Sequence, residues 1–294
     1  MTQRSTAPVG AVGLVVTGLL AQEIGASIAV LLFPTAGPLG MVALRLGFSA
    51  IVLLALVRPR LRGLTRRQWG TAAAFGLVLA AMNVFFYLAL ERLPLGPAVT
   101  IEVLGPLVLS VVVARRASAW LWAVLALGGV VLLGWGESVS LDPVGVAFAL
   151  AAGTLWAGYI LLSERTGAAI PRLDGLAIAM TIGAIAVLPL GILVTGPVFF
   201  RWDVLLLGAG VAILSSAIPY GLELLALRRL AASVFAILMS LAPAIAALAG
   251  LVILQQHLGV LQWVAIGLVV IASIGAVRSA RRAGGAEEIA EPVA

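Results

Sequence analysis

Ten stretches of about twenty apolar residues follow one another along the chain, the length a helix needs to cross a hydrocarbon core of about 30 Å. They run over 10–33, 38–57, 69–90, 95–114, 119–136, 143–163, 174–195, 203–227, 232–254 and 259–277. Breaks carrying Pro, Gly or charge part them, as at Pro34 to Pro38, Arg58 to Arg67, Glu91 to Pro94, Arg115–Arg116 and Glu137 to Pro143. Barrel strands are excluded, because the runs are too long and do not alternate. The first run is not read as a cleaved signal peptide: it is long, only Arg4 precedes it, and a second run follows at once. The 294 residues are 63% hydrophobic and 10% charged, against about 45–50% and about 25% in soluble domains. One soluble domain could not hide that apolar surface. The chain is therefore read as an all-α polytopic membrane protein, not a disordered chain, a disulfide scaffold or a nucleic-acid module.

The net charge of +6 is explained by where the basic residues fall. All 18 are arginine. With the N-terminus placed in the cytoplasm, the inner segments hold Arg4; Arg58, Arg60, Arg62, Arg66 and Arg67; Arg115 and Arg116; Arg165 and Arg172; Arg228 and Arg229; and Arg278, Arg281 and Arg282. The outer loops hold only Arg92 and Arg201, and Arg45 lies within a span. This is the positive-inside pattern, and it places both termini in the cytoplasm. The inner arginines also face anionic lipid headgroups. The segment 278–294, polar from Ala283 on, is expected to be a disordered cytoplasmic tail.

The chain also repeats itself. Leu90-Glu91-Arg92-Leu93 returns as Leu227-Arg228-Arg229-Leu230, Ala89 as Ala226 and Pro106 as Pro243, all at the same offset. Two five-helix halves follow, 1–138 and 139–277. Five is odd, so the second half enters the membrane from the opposite side and the repeats are inverted, a common build of secondary transporters. Pro106 and Pro243 fall within the fourth span of each half, where each frees a backbone carbonyl and permits a bend.

Four ionisable residues lie inside spans: Glu23, Arg45, Glu102 and Glu223. At a lipid-facing midplane each would cost roughly 2.5–3.5 kcal/mol or more, so they should face the bundle interior. At about 1.5 Å per residue, Arg45, Asn83 and Glu102 sit roughly 10 Å from the outer span ends and Glu23 roughly 15 Å, with Gln22 beside it. Arg45 and Glu102 read either as a structural pair or as lining of a substrate site. Glu223 reads equally as a helix-end carboxylate screened by Arg228 and Arg229. Phe85, Phe86, Tyr87, Trp156, Tyr159 and Tyr220 are the aromatics near the same slab, Tyr87, Trp156, Tyr159 and Tyr220 being taken as site candidates and Trp156 and Tyr159 sharing a helical face at i, i+3. Trp69, Trp120 and Trp122 read as interface anchors. Ala149-x-x-x-Gly153-x-x-x-Ala157 and Ala242-x-x-x-Ala246-x-x-x-Gly250 read as ridges for close helix packing.

Enzyme chemistry finds no support. There is no cysteine and one histidine, His257; Asp142, Asp174 and Asp203 all fall at span ends. No phosphate-binding loop, zinc-protease motif or nucleophile elbow occurs. No cofactor, metal ligand set or catalytic residue is expected.

The segments Ala43-Leu44-Arg45-Leu46, Ala81-Met82-Asn83-Val84-Phe85-Phe86-Tyr87, Ile101-Glu102-Val103-Leu104-Gly105-Pro106, Trp156-Ala157-Gly158-Tyr159, Ser215-Ser216-Ala217-Ile218-Pro219-Tyr220-Gly221-Leu222-Glu223 and Met239-Ser240-Leu241-Ala242-Pro243 carry a resemblance. Together with Pro94 to Val99 they cover most of 20–277. The chain resembles the EamA family of the drug/metabolite transporter superfamily, and within it the bacterial threonine/homoserine exporters of the RhtA type. The resemblance implies a ten-span exporter of amino acids or related metabolites. The chain departs from it where Leu241-Ala242-Pro243 stands in place of Met-Glu-Pro, where Gln255-Gln256 replaces Gly-Glu, and where Glu23 replaces a small residue.

The function expected is secondary-active export of small metabolites, amino acids of the threonine/homoserine kind, across the bacterial cytoplasmic membrane. Glu23 and Glu102 would take an ammonium and Arg45 a carboxylate. Alternatively, one Glu holds a proton, since burial and a like charge disfavour double ionisation, and proton-coupled antiport follows. Efflux of drugs or quaternary amines is the alternative transport reading. A structural or lipid-handling membrane protein is the third, and it requires a sealed core around Arg45.

Overall fold

In hydrocarbon, a backbone N–H or C=O must find its partner within the protein, and helices satisfy this along their own length. The computed structural model describes the backbone of residues 9–114, 117–133, 141–170, 173–227, 229–230 and 232–290. Among these residues every regular element is helical. In chain order they are α1 (Val9–Leu31), α2 (Phe33–Val57), α3 (Arg66–Leu90), α4 (Leu95–Glu102), α5 (Leu104–Ala114), α6 (Ala117–Leu133), α7 (Pro143–Ala169), α8 (Asp174–Thr195), α9 (Trp202–Ala212), α10 (Ile218–Leu227), α11 (Ala232–Met239), α12 (Ala242–Ile253) and α13 (Val260–Ala290). A 3₁₀ turn, Gly196–Phe200, follows α8, and a π turn, Ile213–Ala217, joins α9 to α10.

Eight stretches are long and apolar enough to cross a membrane: Gly10–Leu31, Phe33–Val57, Arg66–Leu90, Leu95–Val113, Pro143–Ala169, Asp174–Phe200, Phe235–Ile253 and Val260–Arg278. Two shorter apolar helices, Trp120–Leu133 and Trp202–Ala217, stand where the fifth and eighth spans are expected. The fifth adjoins residues 134–140, outside the described set, and the eighth continues through the π turn into α10. Large apolar side chains cover the outer surface, among them Leu193, Val252, Ile185 and Ile271. Water would not tolerate so much exposed apolar surface, whereas lipid does. The protein is a multi-pass membrane protein.

Three boundaries differ from the sequence reading. The first helix ends at Leu31, and α2 begins at Phe33 rather than at Pro38. Pro34 fits the first turn of α2, where its missing N–H costs nothing, and Gly37 at φ 68° makes the kink before Pro38. Trp122, read as an interface anchor, packs its ring against Gly275 of α13, where an added Cβ would strike it. Finally, α13 stays helical to Ala290, past the expected start of a disordered tail. The Ala, Arg and Glu residues of that segment are good helix formers.

Polar groups within the helices turn inward on the backbone. Ser27 donates to the Glu23 carbonyl at 2.8 Å, Thr100 to Gly96 at 2.7 Å and Thr181 to Ala177 at 2.7 Å. Such i−4 bonds satisfy the hydroxyl without a partner from another helix.

Contacts between loops sort the connections into two ends. At one end, the Arg60 N–H donates to Asp174 Oδ2 at 3.1 Å and Gln68 Nε2 to the Ala169 carbonyl at 2.7 Å. At the other, Arg92 pairs with Asp142 at 2.9 Å, Thr195 donates to the Ala36 carbonyl at 2.8 Å, and the Leu95 N–H donates to Gln256 Oε1 at 2.9 Å. Asp142 also caps α7 by accepting from the Val144 N–H, and its hydrogen bond to Arg92 holds its carboxyl below the usual carboxylate range.

The offset seen in the sequence recurs in the backbone. The Arg92 and Leu93 N–H groups both turn back to the Ala89 carbonyl; the Arg229 and Leu230 N–H groups turn back in the same way to Ala226. The α4/α5 break at Val103 and the α11/α12 break at Ser240 stand at the same offset. Packing follows suit. α3 lies on α7 as α10 lies on α1; α3 lies on α8 as α9 lies on α2; α4 and α5 lie on α7 as α11 and α12 lie on α1.

Candidate functional site

Where the two groups of helices meet, a cavity of about 160 Å³ opens. Its charged and polar lining is Gln22 and Glu23 of α1, Arg45 of α2, Asn83 of α3 and Glu102 of α4. Trp156 and Tyr159 of α7 close another side, sharing a face as their i, i+3 spacing predicts. Seven of the ten sequence candidates thus share one cavity.

Helix breaks and small residues create this geometry. Pro106 has no N–H to offer the carbonyl four residues back, which belongs to Glu102. That carbonyl sits against Gly153 of α7, where an added Cβ would collide with it, and Gly105 meets the Gly153 backbone in turn. The Ala149/Gly153 ridge thereby lets α4 and α5 approach α7 closely and brings Glu102 to the cavity wall. In the second group Pro243 stands in the same relation to Met239, which also lines the cavity.

Arg45 is held from two sides. Its Nη1 donates to the Tyr87 hydroxyl at 3.3 Å and its Nη2 to the Ser215 carbonyl at 3.2 Å, and its Cζ lies 5.7 Å from the Tyr87 ring centroid. Tyr87 is fully buried between Phe33 and Phe86, with ring centroids at 5.8 and 6.2 Å. It supports Arg45 from behind instead of lining the cavity. Glu23 is 2% exposed, and its Oε2 makes no hydrogen bond. Glu23, Arg45 and Glu102 are close enough to act electrostatically on one another. Asn83 turns its amide N–H back to the Leu79 carbonyl at 2.9 Å. Tyr159 stacks at 5.1 Å on Phe75.

The side chains of Tyr220 and Glu223, the remaining two candidates, lie outside the described residues. The cavity also takes in Phe86, one of the aromatics near the slab, and Met82, Val99, Met239 and Ala242, which were not read from the sequence as site residues. Met239 had a signal as the repeat mate of Glu102, and Ala242 had one as the position where the resemblance expects Glu. Ala242, where the resemblance expects a carboxylate, lines the same cavity as Glu23.

The model of the EamA-like transporter family matches residues 143–278. Over 260 residues the chain is 40% identical to the threonine/homoserine exporter RhtA of Escherichia coli K12, covering 88% of each chain. It is 39% identical to RhtA of Salmonella typhimurium LT2, again over 88% of each. A crystal structure of a protein 21% identical shares the fold, with a TM-score of 0.62 over 92% of this chain and 98% of that one. With a relative this similar spanning nearly all of its length, the chain belongs to the EamA-like transporter family.

Proposed function

We propose that the chain exports small zwitterionic metabolites, amino acids of the threonine/homoserine class, by secondary-active transport across the bacterial cytoplasmic membrane. It works as ten spans in two inverted five-helix repeats with both termini in the cytoplasm. The repeated turn, the paired helix breaks and the matched packing support the repeats. The arginine distribution supports the orientation, since the end tied by Arg60–Asp174 and Gln68–Ala169 carries the basic segments.

The observation that carries the substrate class is the cavity itself. It has one guanidinium and two carboxyls around a volume of about 160 Å³. That suits an amino acid. It is below the about 300–1,000 Å³ of a drug-sized site, which disfavours the drug-efflux reading. Arg45 would take the carboxylate, and Glu23 or Glu102 the ammonium. The other carboxyl is a natural carrier for a coupled proton.

The test is export from proteoliposomes loaded with a panel of amino acids under an imposed pH gradient. Threonine and homoserine are expected to leave faster than from protein-free vesicles, and a protonophore is expected to abolish the gain. Movement of a quaternary amine with no amino-acid export would replace this reading with the drug-efflux one.

The relocated carboxylate gives a second expectation. Glu23→Ala should reduce amino-acid export about tenfold, the factor expected for losing a charged hydrogen-bond partner. Adding Ala242→Glu should restore much of it, because both positions face the same cavity. Initial rates at matched expression decide; a double variant no better than Glu23→Ala refutes the exchange.

A further inference from the structure

The link between Arg45 and Ser215 joins residues far apart in the sequence and has a specific cause. Pro219 has no N–H, so the regular helical partner of the Ser215 carbonyl is missing. The backbone around it runs in π register: the Ile218 N–H bonds to the Ile213 carbonyl, five residues back. Such turns often mark functional positions. The guanidinium of Arg45 then donates to the Ser215 carbonyl at 3.2 Å. The turn is seated in a notch on α1 formed by Gly25, where an added Cβ would strike the Ser215 hydroxyl and lie 3.1 Å from its backbone nitrogen. Gln22, Glu23 and Ala26, from the same stretch of α1, line the cavity.

Bonds of 3.2 and 3.3 Å from a guanidinium to neutral oxygens are long. A carboxylate would take the same donors at about 2.7–2.9 Å, with roughly twice the strength of a neutral acceptor. We propose that the Ser215 carbonyl and a substrate carboxylate compete for Arg45, so that binding of the carboxylate releases the π turn from α2. Pro219 is the positioning residue, since it keeps that carbonyl available to Arg45. The inference rests on the amino-acid reading above and adds to it the step by which capture at Arg45 moves the eighth stretch.

The test compares an amino acid with the amino alcohol of the same side chain, which lacks the carboxylate. Pro219→Ala restores an N–H to the Ser215 carbonyl and removes the competitor. The apparent KM for the amino acid is expected to fall about fivefold, within the range for the net worth of an ordinary intramolecular hydrogen bond. Maximal rate is expected to fall with it, and inhibition by the amino alcohol should stay unchanged. Pro219→Gly should behave alike. A ratio of the two affinities equal to the wild-type ratio overturns the proposal, as do KM values that shift together for both compounds.

A second measurement leaves Pro219 in place. Leu44 of α2 touches Gly208 of α9, next to the π turn. In a Leu44→Cys chain, whose one thiol is buried against Gly208, the amino acid should speed alkylation of that thiol and the amino alcohol should not; equal acceleration or none overturns the proposal. If the unmodified protein exports no amino acid, the functional reading fails. If it does export and these signatures are missing, only the displacement step fails.

Discussion

Arg45→Ala is expected to lower amino-acid export at least about a hundredfold, which corresponds to about 3 kcal/mol. Two effects combine. The substrate carboxylate loses its only cationic partner among the described residues lining the cavity. In addition, Glu23 and Glu102 are left in a buried cavity without the charge that balances them, a change that costs about 3–5 kcal/mol when one partner of a buried pair is removed. The second effect threatens folding and would confuse the first. The double variant Arg45→Ala/Glu102→Gln, compared with Glu102→Gln alone, separates them: it restores the charge balance, so membrane expression and detergent thermal stability should recover, while export should stay well below that of Glu102→Gln. Arg45→Lys keeps the charge but loses the planar fork that reaches both Tyr87 and Ser215, and should recover only part of the rate. Wild-type export by the charge-balanced double variant would remove Arg45 from substrate recognition and leave it a structural role.

Much of this site was legible in the sequence because the membrane makes charge rare. Glu23, Arg45 and Glu102 stand out in an apolar background, and an intramembrane charge must face the interior. Helical rise placed Asn83 and Gln22 in the same layer, and i, i+3 spacing put Trp156 and Tyr159 on one face. The spans were legible for the same reason, apart from ends that depend on a single kink, as at Gly37. Rotation about a helix axis was not legible. Tyr87 lies within one turn of Asn83, yet it faces Phe33 and supports Arg45 from behind. Met82 and Val99 line the cavity without any compositional signal, since any apolar residue reads like another in a span. The Arg45–Ser215 bond was hidden as well. Pro219 is visible in the sequence, but which donor takes up the carbonyl it frees depends on how α2 packs against the eighth stretch.

Joining Leu95 to Gly250 by a disulfide is expected to stop export until the bond is reduced. Among the described residues, the matched packing of the two halves does not extend to α4 and α12. At the end carrying Arg92 and Asp142, α4 crosses α12 closely: Gly96 meets the Ala247 backbone, where an added Cβ would lie 2.8 Å from its Cα, and the Leu95 N–H donates to Gln256 Oε1. The equivalent pair under the repeat is α11 with α5, and among the described residues it shows no comparable packing. In the orientation proposed above, the cavity is therefore closed toward the outside, and α4 must part from α12 to release substrate there. A Cβ built on Gly250 lies 3.5 Å from the Leu95 Cβ, within the about 3.5–4.5 Å that a disulfide spans. The only obstacle is the end of the Gln256 side chain, which can move. The chain contains no cysteine, so in Leu95→Cys/Gly250→Cys no other disulfide can form within it. Oxidation should bring export to the protein-free background and reductant should restore it, while each single variant exports in both conditions. Amino-acid binding from the cytoplasmic side should survive in the oxidised form, since the bond lies beyond the cavity. Full-rate export with the disulfide complete would mean that α4 and α12 do not separate, and substrate would have to leave by another route.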